Sequence, residues 1–150
     1  MARRDRAGVP GLLPFLRWLI ILPAMNKEWE RSVIASNTDA VLGQIRQGSD
    51  VNSRNRRGQT ALMLAATRGD AVLTKLLIHN GADLNVTAKY RLSALMLAVL
   101  NNHEEVVRLL CEAGADKDIR GSGAPGFAGC TALDLAVGAG QTNLSLILTT

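Results

Sequence analysis

Apolar and polar residues alternate along this chain in short blocks, and the blocks return at a fixed offset. In the clearest block, Leu62, Leu64, Ala65 and Ala66 follow Thr60 at a spacing that places an apolar stripe on one side of a short helix. Thr60 fits the N-cap, where its hydroxyl satisfies a backbone N–H that has no partner inside the helix. Arg68-Gly69-Asp70 breaks the run, and Asp70 then caps a second helix carrying Leu73, Leu76, Leu77 and Ile78. Gly81 ends that helix because the chain must turn through a left-handed conformation, and Asp83 and Asn85 supply turn chemistry beyond it.

The whole block recurs 33 residues later. Thr60-Ala61-Leu62-Met63-Leu64-Ala65 returns as Ser93-Ala94-Leu95-Met96-Leu97-Ala98, and Gly81-Ala82-Asp83 as Gly114-Ala115-Asp116. Val106, Val107, Leu109 and Leu110 form the second apolar run of this copy, with His103 at its start in a capping or turn role. A period of this length predicts stacked supersecondary units in place of one central core. Weaker copies flank the two clear ones. Residues 27–53 keep Val33, Ala35, Val41, Ile45 and Gly48, with Trp29 at the position of Leu62. After five extra residues, Thr131-Ala132-Leu133-Asp134-Leu135-Ala136 restarts the pattern, followed by an apolar run to Leu148. Four units are therefore expected, at about 25–55, 56–88, 89–121 and 122–150, the outer two being atypical caps.

These residues resemble the ankyrin-repeat family, whose units carry a Thr-Pro-Leu-His-x-Ala segment in a 33-residue helix–turn–helix–loop. Gly58, Thr60, Leu62, Ala65, Gly69, Leu77, Gly81, Asp83 and Asn85 match in one unit, and Ser93, Leu95, Ala98, Leu109, Leu110, Gly114 and Asp116 in the next. Ala61, Ala94 and Ala132 replace the family's Pro, and Met63, Met96 and Asp134 its His. The resemblance leans to bacterial members and implies an all-α ankyrin-repeat solenoid. Packing by Met63 and Met96 then replaces the family's Thr–His hydrogen bond. Arg91 stands at a tight-turn glycine position, so that tip is expected to bend differently.

Composition and charge narrow the function. Aromatics make up 3% of the chain, which suits thin helical layers filled with small aliphatic groups. The net charge is +4, but Arg3, Arg4, Arg6 and Arg17 stand against Asp5 alone in residues 1–24. The remaining chain holds 13 basic and 12 acidic side chains, so its global charge implies no polyanionic partner. A single Tyr among the basic loops is no stacking platform, which counts against nucleic acid.

Residues 11–24 form an apolar run interrupted by Pro14 and Arg17, too short to span a membrane. It reads as a leader for export or as an extension upstream of a start at Met25, and a membrane role rests on this segment alone. Cys111 and Cys130 are too few for a disulfide framework and point to a reducing, cytoplasmic compartment, with Cys111 expected in the core. An exported or periplasmic location is the alternative if the leader is functional.

No cofactor, metal or catalytic set is expected. Gly121-Ser-Gly-Ala-Pro-Gly126 formally matches a dinucleotide fingerprint, but it follows a turn and Pro125 intervenes before the next helix. Gly121–Gly129 reads as a long loop tip whose Phe127 either contacts a partner or, as is expected here, tucks onto the stack. The expected activity is binding of a protein partner. The resemblance implies a concave groove lined by loop tips and the ends of first helices, and its transfer to this chain selects named residues. Arg54, Arg56, Arg57 and Gln59 fall on the first tip, Lys89, Tyr90, Arg91 and Leu92 on the second, and Arg120 on the third. Thr67, Arg68, Leu100 and Asn101 fall at the helix ends. Basic tips on a near-neutral body suit an acidic protein segment held by guanidinium groups. The apolar last helix, through Leu144, Leu146, Ile147 and Leu148, leaves a choice between a monomer and an end-on dimer.

Overall fold

The computed structural model describes residues 24–123 and 125–150. The proposed leader, apart from Ala24, lies outside them. Eight α-helices are present among the described residues, joined as four helix–turn–helix pairs: α1 (Lys27–Ile34) with α2 (Thr38–Arg46), α3 (Ala61–Arg68) with α4 (Ala71–His79), α5 (Ala94–Leu100) with α6 (Glu104–Glu112), and α7 (Ala132–Gly138) with α8 (Thr142–Thr149). First helices pack on first helices (α1, α3, α5, α7) and second on second (α2, α4, α6, α8), giving two parallel layers of a solenoid. The fold is all-α, with strand-like pairing reduced to isolated bridges at Ala24–Arg54 and Thr87–Ser93.

The repeat fixes one left-handed residue between the helices of every unit. Ser36, Gly69, Asn102 and Gly140 occupy that position with φ of 53°, 74°, 57° and 70°. Asn reaches this region more readily than most side chains, so the third unit keeps the turn without glycine. The next residue starts the second helix, and here the units divide. Asn37 and Asp70 cap their own helices, accepting from Ala40 N at 3.0 Å and Leu73 N at 2.9 Å. His103 and Gln141 make no such bond. They reach into the preceding unit instead: a His103 ring nitrogen lies 3.0 Å from the Thr67 carbonyl, and Gln141 donates to the Val99 carbonyl at 3.1 Å. Arg68 likewise donates to the Ile34 carbonyl. Thus each of α1, α3 and α5 has a carbonyl at its C-terminal end, one of those the helix cannot bond itself, bonded by the following unit.

A second ladder runs along the loops. Asp50, Asp83 and Asp116 each accept the backbone N–H two residues on, at 2.8–2.9 Å. Asn52 then accepts from Asp83 N at 2.7 Å and Asn85 from Asp116 N at 2.8 Å, tying each loop to the next.

Between the layers lie Leu62, Met63, Leu73, Leu77, Leu95, Met96, Val107 and Leu110, each at most 1% exposed. Burial of side chains this size stabilises by about 1.5–3 kcal/mol apiece relative to exposure. Met63 and Met96 fill the place of the family's His, as expected, and Trp29 is buried in the first unit at the position of Leu62. The last helix requires a correction. Leu144 and Leu148 are 1% and 5% exposed and belong to the core, because α8 turns them onto α7 and α6. They offer nothing to a second copy. Leu146, 62% exposed, and the half-buried Ile147 line a groove of about 600 Å³ between α6 and α8. Cys111 borders the same groove and is half-buried, not fully enclosed, with burial holding its thiol pKa above the ordinary value.

Candidate functional site

The first tip is built around Asn55. Its carboxamide oxygen accepts from Arg57 N at 3.0 Å and Gln59 N at 2.9 Å, while its nitrogen donates to Glu30 at 2.9 Å and to the Gln59 side chain at 3.3 Å. Gly58, with φ of 76°, completes the turn and leaves Arg56 and Arg57 pointing outward and exposed.

The second tip lacks this device, since Ala88 stands where Asn55 stood. It closes through backbone alone, Ala88 N to Leu92 O and Arg91 N to Ala88 O, both at 3.0 Å. Arg91 stands at the position of Gly58 and has φ of 55°, and Tyr90 beside it has φ of 61°. Two consecutive side-chain-bearing residues in the left-handed region cost roughly 1–2 kcal/mol each. The departure expected from Arg91 is therefore real, and it extends to Tyr90. What holds the pair is the neighbouring tip: Ser122 N donates to the Tyr90 carbonyl at 2.7 Å, and Phe127 lies against the Tyr90 ring with centroids 6.2 Å apart. Phe127 tucks in as expected. Lys89 covers Tyr90, its Nζ 4.7 Å from the ring centroid.

The long third tip is closed at its base. Gly121 N donates to Cys130 O, and Gly129 N to Gly121 O, both at 2.9 Å. α7 starts only at Ala132, after Thr131, whose hydroxyl accepts from Asp134 N while its backbone N–H donates to the Asp134 carboxylate, a capping box, and the hydroxyl donates to that carboxylate as well. The two hydrogen bonds that the carboxylate accepts, helped by Arg120, hold the Asp134 carboxyl below its usual range. The glycines of this tip thus form a hairpin-like loop and no helix-terminal phosphate cradle.

Five of the predicted residues gather at one place. Arg57, Gln59, Lys89, Tyr90 and Leu92 line a cleft of about 450 Å³ between the first and second tips, with Ala88 and Leu97 completing its floor. Leu92 corrects its expected exposure: it is 8% exposed, a core residue that shows only an edge to the cleft. The chain leaves the left-handed turn at Arg91 in an extended conformation at Leu92, and Leu92 and Ser93 are both buried while Arg91 stays exposed. Other predicted residues are engaged elsewhere. Arg54 donates to the Thr87 carbonyl at 3.2 Å and joins the two tips. Arg68 binds Ile34, and Arg120 donates to the Gly129 carbonyl at 2.6 Å with the Asp134 carboxylate 4.0 Å away. Thr67 and Asn101 bond carbonyls of their own helices, and Leu100 is exposed away from the cleft lining. Ala88 and Leu97 escaped sequence reasoning. Leu97 repeats Leu64, which reads as core, and Ala88 stands where the first tip has Asn55, so neither position signals a cleft from sequence.

The cleft and the larger groove at α6 and α8 differ in charge. The groove carries both signs, with Arg108 already paired to Glu104 at 2.7 Å. No acidic side chain lines the cleft, and neither Arg57 nor Lys89 forms an ion pair among the described residues. The tips therefore present unmatched positive charge beside an apolar floor.

A helical solenoid with loop tips and a cleft between them is an adaptable binding scaffold. The family model for ankyrin repeats (3 copies) matches residues 32–121, and the chain belongs to the ankyrin-repeat family. Ankyrin repeats are generally protein–protein interaction modules. A comparison with curated proteins finds no significant match. No helix among the described residues is long and apolar enough to cross a membrane.

Proposed function

We propose that this chain is a non-enzymatic binding module that holds an acidic segment of a partner protein along its concave side, through the basic loop tips. The supporting observation is the cleft of Arg57, Gln59, Lys89, Tyr90 and Leu92, lined by cations and by no acid. Arg56 and Arg91 extend that field on the two tips, both exposed and outside any ion pair among the described residues. Guanidinium groups grip carboxylates through paired donors, and complementary charge raises the association rate more than it raises raw affinity. Residues 25–150 act as the binding unit in this reading. Two free thiols, Cys111 and Cys130, accord with a reducing, cytoplasmic setting.

The test is capture from native lysate by the full chain and by its Arg57→Glu/Arg91→Glu variant. Both side chains are exposed, so thermal unfolding should be little changed, while capture of specific proteins should fall at least tenfold. Equal capture by the two would reject the reading.

A further inference from the structure

We propose that the cleft between the first and second tips is a subsite for one large apolar side chain of the partner segment, with Arg57 and Lys89 holding carboxylates on the residues flanking it. The inference rests on the binding reading above and narrows its partner to acidic segments that carry a bulky apolar residue between acids. Three observations carry it. The volume of about 450 Å³ lies within the range of about 300–1,000 Å³ found for small-ligand pockets. The floor is apolar, made by Ala88, Leu92 and Leu97, and a purely electrostatic contact would need no such floor. The rim carries Arg57 and Lys89 with no acid among the lining residues, and the nearby Glu30 carboxylate accepts a hydrogen bond from Asn55 at 2.9 Å.

The aromatic wall is also held in advance. Tyr90 adopts φ of 61° and is kept there by Ser122 and Phe127 from the next tip. Backbone strain of this kind persists only where the surroundings enforce it, and a wall fixed before binding lowers the ordering cost of association.

Two fluorescein-labelled peptides test the subsite against the full chain by fluorescence anisotropy. Each carries two glutamates on either side of a central residue, leucine in one and serine in the other. Filling the hydrophobic subsite is expected to favour the leucine peptide by about tenfold. Ala88 has extended backbone that accepts any side chain, so Ala88→Trp should fill the cleft and bring the two affinities together. Tyr90→Ala provides a second variant, which should reduce the preference at least threefold, with thermal unfolding recorded for both. Arg57→Glu should weaken both peptides about equally.

Equal binding of the two peptides, no binding of either, or a leucine preference that survives both Ala88→Trp and Tyr90→Ala overturns the subsite. If that happens while Arg57→Glu/Arg91→Glu still abolishes capture of the native partner, the binding reading stands and only the subsite fails. Capture unaffected by the double substitution would instead remove the reading on which the subsite rests.

Discussion

Thr74 is wholly buried in α4, and its hydroxyl has no hydrogen-bond partner. The next unit carries Val107 at the same position, equally buried. A buried hydroxyl without a partner costs about 1–3 kcal/mol, and an apolar group of the same shape removes that cost. Thr74→Val should therefore stabilise the protein by about 1 kcal/mol or more, read as a higher midpoint in urea unfolding at unchanged slope. Asp134 makes a different prediction. Its folded pKa is depressed below 3.8 by the two hydrogen bonds from Thr131, with Arg120 a lesser contribution. A carboxylate with a lowered folded pKa stabilises the fold above its unfolded pKa, and that stability is lost as pH falls through the folded value. Asp134→Ala should accordingly lower the unfolding temperature at neutral pH, and the gap to the unmodified chain should narrow as acid protonates the carboxylate.

At the scale of elements, the contrast between Asp70 and His103 decides how two neighbouring units are joined. Asp70 caps α4, whereas His103 leaves α6 to the acidic first turn of Glu104 and Glu105 and binds the end of α3. The acidic first turn suits the positive end of the helix dipole, so α6 keeps electrostatic support at its start. His103→Ala should cost about 1 kcal/mol, the ordinary net worth of one hydrogen bond. Gly69 tests the same joint from the other side. A Cβ there would lie 2.4 Å from His103 Nδ1, while a Cβ at Gly81 meets nothing within 4 Å. Both glycines have positive φ, 74° and 84°, so both substitutions carry the same backbone strain. Gly69→Ala should destabilise more than Gly81→Ala, and in a His103→Ala background the difference should shrink.

Legibility also varied with element type. The paired helices, their caps at Thr60, Ser93 and Asp70, and the buried Met63 and Met96 follow from residues that repeat at 33, because each performs the same local task in every unit. The burial of Leu92, Leu144 and Leu148 is not legible in this way, since a leucine in an irregular unit or at a turn does not declare which side it faces. The cleft is half legible: its cations stand in the sequence, but its floor includes Ala88 in place of Asn55, and its aromatic wall depends on Phe127 reaching Tyr90 across an insertion.

Over the whole molecule, stability and recognition reside on different surfaces. Stacking of equivalent helices, the Asn52–Asp83 and Asn85–Asp116 rungs, and the carbonyl bonds from Arg68, His103 and Gln141 join each unit to its neighbour. In a solenoid held by nearest-neighbour contacts, exposed tip residues can change with little effect on those joints. Arg57 and Arg91 belong to that permissive surface, and Arg54 does not, because it bonds Thr87 on the adjacent tip. The measurement that tests this account most directly compares the full chain with its Arg57→Glu/Arg91→Glu variant, recording partner capture and thermal unfolding on the same preparations. The account predicts capture reduced at least tenfold with the unfolding temperature almost unmoved. Undiminished capture, with both proteins equally folded, would contradict it.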